Sequence, residues 1–323
     1  MKKINLSSIF FRSIFVLVFF ICQNIIAQML PTSSLKSLGK ESDSGIKGPS
    51  YAELVRYFST LPQKYPEQVQ LFNYGMTPKK RPLLALRIAY PQRFLVTRSS
   101  VGPAILITGA THGNEYLNIE DRLPEWFAAQ APKNHTLDSY FKTGGVIYII
   151  PIFNPDGYDT RRRENSRGID LNRDYTVKQA NYVGFKEIET QLFRDFLQNI
   201  LQKDNKRLSL TIDYHCCIGA ALYPWSYRGA PELPANFLAL FQDFGSVFKN
   251  IMGQQFRVGT TPKILGYSAI GTSKDYFYEN YQALSFTYEG EVDEENQKFD
   301  LHTQMLTQFV AKIQSLRFRQ INR

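Results

Sequence analysis

The stretch PAILITGATHGNEY, residues 103–116, joins an apolar run to a histidine and a glutamate three positions apart. The run AILITGA, residues 104–110, is typical of a strand that is buried on both faces of a parallel sheet. His112 and Glu115 follow directly, where such a strand would end. Two polar groups at this spacing occur in many proteins without a chemical purpose, so their meaning depends on partners elsewhere in the chain.

Similar strand-like runs alternate with segments that show helical periodicity. The predicted strands are QVQLFNYG, LLALRIAY, AILITGA, GVIYIIPI, LSLTIDYH and ALSFTYEG, and helices are predicted near residues 51–62, 119–130, 185–201, 235–252 and 303–317. We expect Pro62 to end the first helix and a hairpin to follow it. The alternation predicts a single α/β domain with a mixed, mostly parallel twisted sheet covered by helices on both faces.

The N-terminal segment, residues 1–27, has the pattern of a secretory signal peptide. Lys2, Lys3 and Arg12 precede an apolar stretch, and Ala27 lies at a plausible cleavage position. The stretch is shorter than the ~20 residues that a membrane-spanning helix needs, so we expect no stable membrane anchor, although an uncleaved anchor is the alternative. The sequence therefore predicts export through the secretory pathway, to the periplasm or the extracellular space.

The rest of the chain predicts a flexible lead-in over residues 28–50 and one folded domain over residues 51–323. The composition, with 43% hydrophobic and 21% charged residues, is enough for a sizeable core. Loss of residues 1–27 would remove three basic and no acidic residues and lower the formal charge from +9 to +6. No basic run is interleaved with aromatic residues, so nucleic-acid binding is not predicted.

Cys216 and Cys217 are the only cysteines beyond the predicted signal peptide. Neighbouring residues do not easily adopt ordinary disulfide geometry, so we expect no disulfide framework to support the fold. Adjacent strand residues point to opposite faces, which leaves at most one thiol facing a metal placed beside them. We interpret both as small packing residues, and stability is expected to come from the core.

Ionisable and amide side chains follow four of the predicted strands at the same kind of position. In α/β sheets, functional groups gather at the carboxyl ends of the strands. We therefore expect these side chains to converge at one edge of the sheet. They are His112, Glu115, Asn154, Asp156, His215 and Glu289.

A catalytic zinc site takes three protein ligands, and a His, Glu and His set is one known solution. His112 and Glu115 offer two ligands from one strand-to-helix turn, and His215 is the best third ligand. His135 lies in a polar loop segment and His302 in the last predicted helix, where solvent exposure or packing accounts for them. The sequence therefore predicts one metal site.

At this point the chain resembles the zinc metallocarboxypeptidases related to carboxypeptidases A and B, over roughly residues 51–317. Seven separated motifs stand in the family's order: HGNE, NPDGY, RREN, GIDLNRDY, DYH, GYSAIGTSKDYFYE and SFTYEG. The resemblance implies a zinc carboxypeptidase catalytic domain in which His112, Glu115 and His215 hold one Zn²⁺. It also implies a peptide substrate with a free C-terminal carboxylate, and we expect the protein to be a monomer.

Three residues match family groups that act around the metal. Asp170 matches the aspartate that orients the first histidine ligand. Glu289 matches the general acid/base that takes a proton from water and delivers it to the leaving amine. Arg163 matches the arginine that polarises the scissile carbonyl, in a register uncertain by one residue because three arginines adjoin in TRRREN. The resemblance thus implies a complete catalytic set, with the other two arginines solvated.

Three further residues match the family's substrate contacts. Asn172 and Arg173 match the pair that grips the terminal carboxylate, for which a planar guanidinium is suited. Tyr267 matches the mobile tyrosine that closes over bound substrate. These matches argue for a peptide carboxylate rather than a small-molecule deacylase substrate.

Lys274 falls, by counting from Tyr267, on the position that lines the floor of the family's specificity pocket. Relatives with an apolar residue there prefer apolar C-terminal residues, and relatives with an aspartate prefer Lys or Arg. A buried ammonium is costly unless a carboxylate neutralises it. Lys274 therefore predicts a preference for C-terminal Glu or Asp, and the alternative is a surface lysine at a helix start.

Asn114 is a second difference, because digestive members carry an arginine there that assists substrate binding. Its absence resembles bacterial relatives that act on cell-wall peptides, so a murein peptide carboxypeptidase or amidase is an alternative function. A catalytically inactive peptide-binding module of the same fold is another alternative. Such modules usually lack a ligand or the general base, and neither is missing from this sequence.

Overall fold

The structure is a computed structural model whose described residues begin in the second half of the predicted lead-in. They are Ser44, Ile46, and residues 48–95, 101–291 and 295–321. The predicted signal peptide, residues 1–27, and most of the lead-in lie outside the described residues. Ser44 and Ile46 are buried, and the Ser44 hydroxyl donates to the carbonyl oxygen of Tyr116 at 2.5 Å. The packed part of the chain therefore includes residues that precede Tyr51.

The described residues form eight strands and nine α-helices. The strands are β1 (Val69–Met76), β2 (Pro82–Ile88), β3 (Gly102–Gly109), β4 (Val146–Ile150), β5 (Lys206–Cys216), β6 (Ala220–Tyr223), β7 (Arg257–Thr260) and β8 (Leu284–Gly290). The helices are α1 (Tyr51–Lys64), α2 (Leu123–Gln130), α3 (His135–Lys142), α4 (Pro155–Thr160), α5 (Ile188–Lys203), α6 (Ala235–Met252), α7 (Thr261–Leu265), α8 (Ser273–Tyr281) and α9 (Phe299–Ile321). None of these helices has the length and apolar character needed to cross a bilayer.

All eight strands belong to one sheet, in the order β1-β2-β4-β3-β5-β8-β6-β7. The four central strands, β4, β3, β5 and β8, run parallel to one another. The β1–β2 hairpin joins one side antiparallel to β4, and β6 joins the other side antiparallel to β8. The predicted mixed, mostly parallel sheet of a single α/β domain is confirmed.

Helices cover both faces of this sheet, each over its own apolar cluster. One cluster receives side chains from α1, α2, α3, α6 and α9, and the other from α5 and α8. Strand β3 has apolar side chains on both faces of the sheet. Ile105 and Ile107 belong to the first cluster, and Ala104 and Leu106 belong to the second. Side chains alternate between the faces of a strand, so a strand that is apolar throughout is buried on both.

The structure differs from the predictions at the end of the first helix, at the start of the second and around His135. Pro62 lies inside α1 and does not end it, because the helix continues to Lys64. α2 begins only at Leu123, where Pro124 supplies the backbone angle that favours a helix start. His135 begins α3 rather than lying in a loop, because Asn134 caps that helix.

The interpretation of the two adjacent cysteines as separate packing residues was also wrong. Cys216 and Cys217 are joined by a disulfide, with their Cα atoms 3.1 Å apart. β5 ends at Cys216, so the strand alternation that would separate the two side chains does not extend to Cys217. A bond between neighbours connects no distant segments, so the apolar clusters still provide most of the stability.

Candidate metal centre

The three predicted metal ligands converge at the carboxyl end of the central strands. Glu115 Oε2 lies 2.9 Å from His112 Nδ1 and 2.8 Å from His215 Nδ1. The two histidine nitrogens are 3.0 Å apart. All three residues are buried, and they form the one cluster of metal-ligating groups found in the described part of the chain. The Nδ1 atoms of the two histidines and the Oε2 atom of Glu115 therefore point to a common centre.

Strand order explains how residues a hundred positions apart meet. β3 and β5 are parallel neighbours whose last paired residues are Gly109 and Tyr214, so the HGNE turn and His215 emerge side by side. Gly113 in that turn packs so tightly that an added Cβ would lie 2.0 Å from the backbone of Gly157. Only glycine fits this approach, which keeps His112 and Glu115 on one side of the turn.

The second nitrogen of each imidazole contacts a carboxylate. His112 Nε2 lies 2.9 Å from Asp170 Oδ1, and His215 Nε2 lies 3.0 Å from Asp213 Oδ2. A carboxylate at Nε2 favours the proton on that nitrogen, which leaves the Nδ1 lone pair free to act as a ligand. Arg163 supports this assignment, because its Nη1 can only donate and lies 3.0 Å from His112 Nδ1.

This donor set fits a zinc ion. Burial alone would raise the pKa of Glu115, but the two histidines lower it well below its usual range, so the carboxylate is ionised. When both imidazoles are neutral, two Nδ1 lone pairs and a carboxylate oxygen within 3.0 Å of one another repel unless a cation lies between them. Two imidazoles and a carboxylate, each imidazole backed by a further carboxylate, match the chemistry of catalytic zinc sites.

Asp213 is a residue of this centre that sequence analysis missed. It accepts hydrogen bonds from Thr108 at 2.8 Å, Thr111 at 2.9 Å and Ser273 at 2.7 Å, in addition to the contact with His215. Asp213 stands two residues before His215 in DYH, so both side chains lie on the same face of β5. That spacing was the available signal, but the hydroxyl partners come from other segments.

We expect Asp213→Asn to weaken zinc binding by about 10–100-fold, because an amide in place of the carboxylate no longer orients His215 or increases its basicity. Competition with a chromogenic chelator measures the affinity. Asp195→Asn, on the exposed side of α5, is the control. An Asp213→Asn variant that folds and binds zinc as tightly as the unaltered protein would contradict this role.

Arg163 is the arginine of TRRREN that reaches the centre. Its guanidinium lies 2.9 Å from Glu115 Oε1 and 2.8 Å from Asp170 Oδ2. Arg162 is exposed, whereas Arg161 was expected to be solvated but packs on the ring of Tyr158, 4.3 Å from its centroid. Of the three adjoining arginines, Arg163 is therefore the one that contacts the ligand cluster.

Glu289 lies next to His215 across the sheet. The two residues are paired in the parallel ladder between β5 and β8, so their side chains emerge on the same face. Burial raises the pKa of Glu289 to about 7, although the histidines and Lys274 oppose this rise. A carboxylate that is partly exposed and poised near neutrality is suited to proton transfer.

Asn172 and Arg173 lie in a short 3-10 turn, Leu171–Arg173, directly after Asp170. The Asp170 carboxylate accepts from the backbone N–H of Asn172 at 2.9 Å, which fixes the turn beside the centre. Asn172 Oδ1 accepts from the backbone N–H of Ser273 at 2.9 Å, and its Nδ2 lies 3.3 Å from His215 Nε2. Arg173 bonds the Asn172 carbonyl oxygen at 2.8 Å and remains partly exposed.

Lys274 is the second residue of α8, and only 3% of its surface is exposed. The alternative of a surface lysine is therefore wrong. Burial lowers the pKa of Lys274, while the nearby carboxylates of Asp275 and Glu289 oppose that effect. Tyr267, in the loop before α8, is 50% exposed and close enough to Arg163 to influence its pKa.

The expected convergence held only in part for the residues that follow β4. Asn154 accepts from the backbone N–H of Gly157 at 2.9 Å and donates to the carbonyl oxygens of Thr111 and Arg163, so it supports the two segments that carry His112 and Arg163. Asp156 points away from the centre. It binds the β1–β2 hairpin through Thr77 at 2.8 Å and therefore has a structural role.

The chain is similar in sequence to active and inactive members of the metallocarboxypeptidases. The chain is 26% identical over 271 residues to carboxypeptidase A6 of Mus musculus, covering 74% of this chain and 59% of that relative. It is 22% identical over 275 residues to an inactive metallocarboxypeptidase of Sclerotinia sclerotiorum, covering 70% and 45%. The chain thus spans about three fifths or less of the length of these two relatives.

Solved structures share the fold. The carboxypeptidase A of Helicoverpa armigera aligns with a TM-score of 0.65 at 21% identity, covering 92% of this chain and 80% of that chain. A family model described as zinc carboxypeptidase matches residues 54–313, which is most of the chain and includes all the site residues named above. The chain belongs to the zinc carboxypeptidase family.

Proposed function

We propose that this protein is an active, exported zinc metallocarboxypeptidase that hydrolyses the C-terminal peptide bond of peptides and prefers acidic C-terminal residues. The observation that carries the proposal is the complete centre, in which three convergent donor atoms lie beside Glu289. Catalytically inactive modules usually lack a ligand or the general base. Here the three ligands and Glu289 are all present and lie close together, which supports the enzyme over the binding module.

His112, Glu115 and His215 would hold the zinc ion, with Asp170 and Asp213 orienting the two imidazoles. When bound, zinc acts as a Lewis acid that polarises the scissile carbonyl and promotes ionisation of water. Glu289 takes a proton from the attacking water and passes it to the leaving nitrogen as the C–N bond breaks. The proton is therefore returned within one turnover, and Glu289 ends as it began.

Cationic side chains would stabilise the negative charges of the substrate, which are the oxyanion and the terminal carboxylate. Arg163 lies against the ligand cluster and would stabilise the oxyanion that forms at the carbonyl. Asn172 and Arg173 would bind the terminal carboxylate, since both lie beside the cluster on a turn fixed by Asp170. Tyr267 lies in an exposed loop from which it can close over the substrate.

Lys274 supports the acidic preference. Within the described residues the Lys274 ammonium forms no hydrogen bond or ion pair, whereas the Lys274 carbonyl oxygen accepts from the Ser285 hydroxyl at 2.7 Å. The neighbouring carboxylate of Asp275 is held by the backbone and side chain of Ser226, at 3.0 Å for each. A buried ammonium that forms no direct ion pair favours a substrate that provides a carboxylate.

Export and the alternative substrate follow from the sequence. The signal-peptide pattern of residues 1–27 supports secretion, and a cell-wall peptide would also present carboxylates to Lys274. Asn114 favours this second substrate class, because it replaces the arginine of digestive relatives. Both readings place the same residues in the same roles and differ only in the peptide that is trimmed.

Mass spectrometry of peptide products tests the proposal. Residues 28–323 are incubated with three peptides that differ only in a C-terminal Glu, Leu or Lys, and with purified muropeptides. We expect loss of the terminal Glu, inhibition by 1,10-phenanthroline and recovery with added zinc. Binding of all peptides without chelator-sensitive cleavage would show an inactive module, and faster release of Leu or Lys than of Glu would contradict the acidic preference.

A further inference from the structure

A buried polar cluster lies behind the metal centre, on the opposite face of the sheet. The residues that directly precede His215 and Glu289 are Tyr214 and Tyr288. Because side chains alternate along a strand, both tyrosines point away from the metal centre into the first apolar cluster. They are paired in the ladder between β5 and β8, and their ring centroids are 5.2 Å apart.

The two tyrosine hydroxyls contact a carboxylate and an imidazole that also contact each other. Tyr288 donates to Glu295 Oε1 at 2.5 Å, and Tyr214 lies 3.1 Å from His302 Nδ1. His302 Nε2 lies 2.7 Å from the same Glu295 oxygen. None of the four residues is more than 1% exposed. Sequence analysis explained His302 by helix packing or solvent exposure, but its ring connects two strands of the sheet.

One proton arrangement satisfies every bond in the cluster. Neutral His302 accepts from the Tyr214 hydroxyl at Nδ1 and donates from Nε2 to ionised Glu295, whose second oxygen accepts from the backbone N–H of Glu291 at 2.8 Å. Burial lowers the pKa of His302, and although burial raises the pKa of Glu295, the bond from His302 lowers it to about 2. A fully satisfied network selects one arrangement of its members.

Apolar side chains of similar volume would fill this space without desolvating a carboxylate, so stability alone is a weak reason for the cluster. What it adds is directional restraint on two adjacent strands. The restrained residues stand one position before a metal ligand and before the general base. Small displacements of reacting groups reduce rates strongly, so restraint at this place bears on catalysis.

We infer that Glu295 and His302 are positioning residues of the metal centre, holding Tyr214 and Tyr288 and thereby the spacing between His215 and Glu289. The inference rests on the proposed function, since it concerns how the proposed base stands relative to the ligands. The restraint acts through backbone that the residues share. Neither Glu295 nor His302 touches the substrate or the metal.

Tyr288→Phe and His302→Leu test the inference, with Met305→Ala as the matched control. Tyr288→Phe removes one oxygen atom and is the variant that keeps the test open if His302→Leu does not fold. Met305 lies fully buried on α9, one turn from His302, and contacts the same apolar cluster. Met305→Ala is therefore expected to lower thermal stability without disturbing the hydrogen bonds of the polar cluster.

We expect Tyr288→Phe and His302→Leu to lower kcat about 10-fold with KM changed less than 2-fold, and to accelerate zinc release to a chelator. His302→Gln, which keeps a donor and an acceptor, should recover part of kcat. Met305→Ala should match their loss of thermal stability but keep kcat. Equal kcat loss in Met305→Ala, or unchanged kcat and zinc release in folded Tyr288→Phe, would overturn the inference.

Zinc release separates this inference from the proposed function. If the unaltered protein cleaves no peptide, the proposed activity fails, while faster zinc release from Tyr288→Phe than from Met305→Ala still shows that the cluster positions His215. If the unaltered protein cleaves peptides and the variants match it in both readouts, the positioning role fails and the activity stands.

Discussion

Glu289→Gln is expected to lower kcat for release of a C-terminal glutamate by about 10³-fold, a typical loss for removal of a general acid/base. Glutamine keeps the shape of the side chain but can neither take the proton from water nor return it to the leaving amine. The zinc ligands are unchanged, so we expect one zinc ion per chain to remain. Steady-state kinetics measure kcat, and metal analysis measures the number of zinc ions per chain.

Glu291→Gln is the matched control for this experiment, since it makes the same chemical change two residues later at a side chain that is 46% exposed. It should retain activity within about 2-fold, because the loss of a surface ion pair has a small effect. Comparable activity of Glu289→Gln and the control would show that Glu289 is not the base. Loss of zinc from Glu289→Gln would indicate that it acts on the metal site instead.

Much of the fold was predictable because the central strands are long and apolar. AILITGA predicted a buried strand, and its alternating side chains enter both apolar clusters. β6 and β7 were not predicted, since each has only four residues, too few for a periodic pattern. The Cys216–Cys217 bond was also not predicted, because the sequence does not show that β5 ends at Cys216.

The centre was predictable where one residue type has few chemical uses. Four histidines in the chain left few combinations of ligands, so His112, Glu115 and His215 were identified from the sequence. Asp213 was missed because aspartates are common and its partners Thr108 and Ser273 come from β3 and α8. Sequence order does not reveal which strands are neighbours in the sheet.

The same limit applies to the polar cluster behind the centre. Tyr214, Tyr288, Glu295 and His302 look unremarkable in sequence, since tyrosines are common in strands and glutamates near strand ends. Only the pairing of β5 with β8 brings the two tyrosines together, and only the packing of α9 supplies the imidazole. Groups that act through packing therefore require the structure, whereas groups that act through chemistry can be recognised earlier.

Lys274→Met is expected to reduce the preference for C-terminal Glu over Leu, measured as the ratio of kcat/KM values, by about 10³-fold. Methionine has a similar length and no charge, so the variant leaves an apolar pocket floor without a buried ammonium. A substrate glutamate would then enter without a partner for its carboxylate, and an unpaired buried charge costs about 3–5 kcal/mol. The kcat/KM value for the leucine substrate should rise, because the leucine side chain no longer displaces water from an ammonium.

Lys263→Met is the control, because Lys263 is an exposed residue of α7, and it should leave both kcat/KM values unchanged. Lys274→Asp should go further and favour C-terminal Lys, but the new carboxylate would lie near Asp275 and Glu289, which makes Met the cleaner variant. If Lys274→Met retains the preference for Glu, another cation must meet the side chain. Arg173 would then be the next residue to substitute, since its charge also acts on Lys274.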